Sequence, residues 1–93
     1  MKRNDKKMKV RTIEELHDRD IGNRKFANVC DLLIANNHKI GTIKEYYEYY
    51  KVEIDDKPFW YFKNWKASAK DFAKYVEDLL NMNKEIEQMK NRG

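Results

Sequence analysis

Chain-breaking residues are scarce here, with one proline and three glycines serving 93 positions. That argues against a turn-rich sandwich and favours helices. A single cysteine, Cys30, excludes an internal disulfide and a Cys-rich zinc site, and it fits a reducing, cytoplasmic setting. No apolar run approaches the roughly twenty residues needed to span a bilayer, so no membrane partner is expected. The first seven residues lack the apolar core of a secretory signal. With glycine only at Gly22, Gly41 and Gly93, no glycine-rich phosphate loop can be drawn. Ser68 is the sole serine and its place is explained by helix capping, so a Ser-His-Asp arrangement is not credible. Cys30 could pair with His17 or His38 as a nucleophile, but it falls between Phe26 and Leu33 on an apolar face and reads as a small core residue. His17-Asp18-Arg19-Asp20 has metal-capable groups but one histidine and no second cluster. No catalytic residue, metal or cofactor is assigned, and the chain does not read as an enzyme.

What the chain does have is aromatic residues. Nine of its twelve fall between Tyr46 and Trp65. In so short a chain such a cluster is either most of the core or a binding surface. It also excludes disorder, because disordered chains lack the apolar area that offsets chain entropy. Twenty basic and sixteen acidic side chains give a net charge of +4 and a pI near 9.1, a mild bias towards polyanions. Abundant Lys and Asn suit an AT-rich genome, such as that of a low-GC bacterium, its phage or its plasmid.

Residues 1–11 carry six basic side chains against one acid, Asp5, and read as a flexible basic arm. Residues 12–93 read as a single domain. Thr12 and Glu15 have capping-box spacing for a short helix that Gly22 closes. Phe26, Val29, Cys30 and Leu33 recur on one face of a second helix over 23–36, with Asn36 or Asn37 suited to its left-handed cap. Thr42 and Glu45 again have capping-box spacing, and Ile43, Tyr46, Tyr47 and Tyr50 match a third helix over 42–51. This periodicity assigns Tyr46, Tyr47 and Tyr50 to the core and leaves Tyr49 as an exposed contact. Val52-Glu53-Ile54, a turn at 55–57 and Phe59-Trp60-Tyr61-Phe62 describe a β-hairpin; the rival is a helix with Pro58 in its first turn. Ser68 caps a long helix over 68–91, whose Phe72, Tyr75, Leu79, Met82, Ile86 and Met89 form an a/d seam.

The fold class that follows is mainly α with a short hairpin and a long C-terminal helix, in the order α-α-α-β-β-α. The alternative is an all-α bundle. The order of elements resembles a winged-helix domain followed by a dimerisation helix. That resemblance implies DNA binding, with the third helix in the major groove and the hairpin along the backbone. Lys44, Glu45, Glu48 and Lys51 on the polar side of that helix depart from the pattern, because glutamates repel phosphates.

Two functions fit. One is a small dimeric DNA-binding regulator of phage or plasmid origin, with phosphate contacts from the arm, Lys39, Lys44 and a stripe of Lys63, Lys66, Lys70 and Lys74. The other is a phage-type inhibitor or adaptor that docks on a host protein through Tyr49 and Trp60. In either case Met82, Ile86 and Met89 are assigned to a homodimer interface along the C-terminal helix.

Overall fold

The computed structural model describes the backbone of residues 8–92 and the side chains from Met8 to Met82. The element order is β1 (Lys9–Arg11), α1 (Ile13–His17), α2 (Arg24–Ala35), β2 (Ile40–Glu45), β3 (Tyr49–Ile54), β4 (Lys57–Phe62) and α3 (Ala69–Arg92). The four strands form one antiparallel sheet in the order β1-β2-β3-β4. The fold is therefore α+β, neither winged-helix-like nor an all-α bundle.

The correction falls on 42–51. The periodicity of Ile43, Tyr46, Tyr47 and Tyr50 runs across a turn. Glu45 pairs with Tyr50 and Lys44 with Lys51, which leaves Tyr47 and Glu48 as a tight connection between β2 and β3. Tyrosine and β-branched residues favour the pleated surface of a strand over a helix, and here that preference prevails over the apparent cap at Thr42. A register shift between Ile40 and Ile43 lets both residues pack towards the core despite their odd spacing.

Elsewhere the expected local signals appear. The Thr12–Glu15 capping box is formed in both directions. Asn37 takes a left-handed conformation with φ 70°. Its N–H and that of His38 donate to Ile34 and Leu33 carbonyls at 3.0 and 2.9 Å, which is a Schellman ending for α2. Asp55 and Asp56, with φ 52° and 67°, form the two-residue turn that suits the twist of a hairpin. Ser68 Oγ accepts from Asp71 N at 3.1 Å at the start of α3. Residues 1–7 of the basic arm lie outside the described residues, while Lys9–Arg11 form an edge strand.

One face of the sheet carries the core. Ile43, Val52, Phe59, Tyr50, Tyr61 and Ile54 are buried there beneath α2 and α3. The Phe26 ring of α2 lies 4.8 Å from Tyr50 and 4.6 Å from Tyr61, and Tyr61 meets Phe72 of α3 edge-on at 5.0 Å. Leu16, Val29, Leu33, Val76 and Leu80 complete the interior. Each fully buried side chain of this size contributes about 1.5–3 kcal/mol before entropy is counted. Lys25 Nζ donates to the carbonyls of Trp65 and Ala67 at 3.0 and 2.8 Å, pinning the segment between β4 and α3.

Candidate nucleic-acid interface

Strand pairing sorts the side chains of the sheet onto two faces, because successive residues point to opposite sides. Tyr50, Val52 and Ile54 of β3 and Phe59 and Tyr61 of β4 face the helices. Tyr49, Lys51 and Glu53, with Pro58, Trp60 and Phe62, must then face the other way. No helix covers this outer face among the described residues, and its large side chains are open to solvent. Val10 is 60% exposed, Phe62 53% and Trp60 47%.

The outer aromatics touch one another. Tyr46 stacks on Tyr49 at 4.9 Å between ring centroids, and Tyr49 meets Phe62 at 5.7 Å. Trp60 follows two residues before Phe62 on β4, and Lys51 Nζ lies over its ring at 5.8 Å. Tyr47 stands at the tip of the β2–β3 turn, 81% exposed.

Two cations stand among these rings. Lys44 and Lys51 are directly opposite each other on β2 and β3, in a row that runs Val10, Lys44, Lys51, Trp60. Like charges directly opposite on a sheet are destabilising. Glu53 is on the same face, but among the described residues no ion pair joins a carboxylate to either lysine. By contrast Glu45, on the helix side, is held at 2.7 Å by both Arg11 and Lys63. Burial works to raise the Glu45 carboxyl, but the hydrogen bonds and charges of Lys63 and Arg11 outweigh it and keep the group below its ordinary value.

The site residues expected from sequence are dispersed. Of the six lysines assigned to nucleic acid, Lys44 alone is on the aromatic face. Lys63 is committed to Glu45 and lies over Tyr50. The stripe through Lys63, Lys66, Lys70 and Lys74 needed a continuous helix, yet α3 begins at Ala69. Lys74 lies 3.5 Å from Asp78 on α3. Lys39 precedes β2 and its N–H donates to Asp55. Among the tyrosines assigned to the core, Tyr50 is buried, Tyr46 half-buried and Tyr47 exposed. Tyr49, expected to be exposed, is half-buried on the outer face, Trp60 is exposed there, Met82 is 56% exposed on α3, and the side chains of Ile86 and Met89 lie outside the described residues. Lys51, Tyr46 and Phe62 are not among the expected site residues: the sequence reading puts Lys51 on the polar side of a helix, Tyr46 in the core and Phe62 in the hairpin. Alternation of Tyr49-Lys51-Glu53 against Tyr50-Val52-Ile54 would have found this face had the helix over 42–51 not been preferred.

Cys30 is buried, and burial pushes its thiol up to about 12. Among the described residues, no group of His, Cys, Asp and Glu could hold a metal ion, and no helix is long and apolar enough to cross a membrane. No protein-family model, curated protein or solved structure matches the chain.

Proposed function

We propose that this protein binds single-stranded nucleic acid on the outer face of its sheet, in a cytoplasmic setting. The observation that carries this reading is the opposed pair Lys44–Lys51, without a carboxylate partner among the described residues and set between exposed rings. Such a pair costs stability in the free protein, and a phosphate would relieve it. Tyr46, Tyr49, Trp60 and Phe62 offer flat apolar surfaces beside those charges. Bases stack on such surfaces for about 1–3 kcal/mol each, with little regard to sequence. Stacking needs bases that are splayed out, which favours a single strand over a duplex. Readout by a major-groove helix no longer applies, since 42–51 is not helical.

The test is a titration of labelled oligonucleotides of about 16 nucleotides by fluorescence anisotropy, single-stranded and duplex side by side. Single strands should bind more tightly. Trp60→Ala should weaken binding by roughly five- to a hundredfold, the worth of one stacked base. Absence of binding at about 50 mM salt by the folded protein would overturn the proposal and return the aromatic face to the alternative, a host-protein contact.

A further inference from the structure

The sheet ends at β4, which has no strand on its far side among the described residues. Which of its backbone groups face outward follows from the hairpin. Lys63 N–H donates to Glu48 C=O at 2.9 Å, in step with the pairs Tyr50–Tyr61, Val52–Phe59 and Ile54–Lys57. In an antiparallel ladder hydrogen-bonded pairs alternate with non-bonded ones. The backbone groups of Pro58, Trp60 and Phe62 therefore point away from β3. Pro58 has no N–H to offer. The Phe62 carbonyl already accepts from Trp65 N at 3.0 Å. What remains at the edge is the Pro58 carbonyl, both groups of Trp60 and the Phe62 N–H.

That set is complementary to itself. A second β4 laid antiparallel about a two-fold axis at Trp60 would bring the two Trp60 residues opposite each other, exchanging two hydrogen bonds. Each Phe62 N–H would meet the Pro58 carbonyl of the other copy. The bond that Pro58 cannot donate is the one that Phe62 has no need to accept. A proline on an edge strand ordinarily blocks pairing, but in this register nothing is lost to it.

The side chains along the edge point the same way. A groove of about 980 Å³ runs along β4, lined among others by Tyr49, Pro58, Trp60 and Phe62 of the outer face and by Tyr75 and Leu79 of α3. On α3, Tyr75 is 51% and Met82 56% exposed. With Leu79 they form a stripe of 4-3 spacing that the sequence continues at Ile86 and Met89. Heptad spacing of this kind is matched by a helix carrying the same spacing. A half-exposed ring covers about 75–125 Å² when buried. Tyr75 and Met82, counted on both copies, supply about 400 Å² of the roughly 1,000 Å² that a specific interface requires, before the rest of the stripe and the joined edges are included.

We infer that the protein is a two-fold homodimer in which β4 pairs with β4 of a second copy and the two α3 stripes face each other beneath the joined edge. The assembly has one eight-stranded sheet, with the outer faces of the two copies side by side. The inference does not rest on nucleic-acid binding.

Sedimentation equilibrium over a dilution series, combined with hydrogen exchange on the same samples, tests it. The expected result is twice the chain mass of 11.3 kDa, with slow exchange at the Trp60 and Phe62 amides that becomes fast on dilution. Tyr75→Glu and Met82→Glu change exposed residues, and each should weaken the dimer by roughly tenfold or more, as an unpaired charge buried at an interface does, with the circular dichroism unchanged. A monomer at every concentration would overturn the proposal and make Pro58 a blunted edge. So would a dimer whose Trp60 and Phe62 amides exchange rapidly, or one insensitive to both charges.

Discussion

Single residues divide into those committed to the fold and those left to solvent. Cys30 belongs to the first kind. With its thiol pushed up to about 12 by burial, it should not react with a thiol reagent at neutral pH until the protein is unfolded. Thiol titration with and without denaturant reads this directly. Glu45 is the hub of a three-membered ion cluster, with Arg11 and Lys63 each at 2.7 Å. Its carboxyl is held below the ordinary value of 4.5. A lowered folded-state pKa means that the contribution is complete above the unfolded value and fades as pH falls through the folded one. The thermal stability of the wild type should therefore fall on acidification below about pH 4.5, with a component that Glu45→Gln lacks. At neutral pH that substitution should cost about 1–3 kcal/mol, because it leaves two half-buried cations without their carboxylate.

At the level of elements, the hairpins carry the argument. Asp55 and Asp56 both adopt positive φ, yet their side chains differ in employment. Asp55 accepts from Lys39 N at 2.8 Å and lies 2.6 Å from His38 Nδ1. Left-handed backbone costs a non-glycine residue about 1–2 kcal/mol. Asp56→Gly should thus raise stability by up to about 1 kcal/mol, while Asp55→Gly should lower it by losing those bonds; chemical denaturation of the two variants checks the contrast. This turn was legible in the sequence because Asp-Asp-Lys-Pro punctuates it. The β2–β3 turn was not, since Tyr46-Tyr47-Glu48 contains no Gly, Pro, Asn or Asp, and helical spacing happened to bridge it. The two early helices and α3 were legible because capping residues and one apolar face agreed. The aromatic cluster, read as either core or binding surface, supplies both, and its division between them needed the strand parity, which sends Tyr50 in and Tyr49 out. The lysine stripe was lost for the same reason in reverse, as a helical period drawn through residues that are not helical.

At the scale of the molecule, the sheet keeps its two faces for different work. One buries Tyr50, Tyr61 and their neighbours under α2 and α3. The other leaves rings and an opposed lysine pair uncovered. Two-fold pairing along β4 would double that open face. Lys44 and Lys51 as phosphate contacts make single-strand binding depend on salt. Measured from about 50 to 200 mM salt, the affinity should fall steeply on a log–log plot. In the double variant Lys44→Gln/Lys51→Gln the slope should flatten by about 1.4, since each phosphate contact on a single strand contributes about 0.7. A slope that is the same in both proteins would contradict the account, for it would mean that these lysines do not meet phosphates.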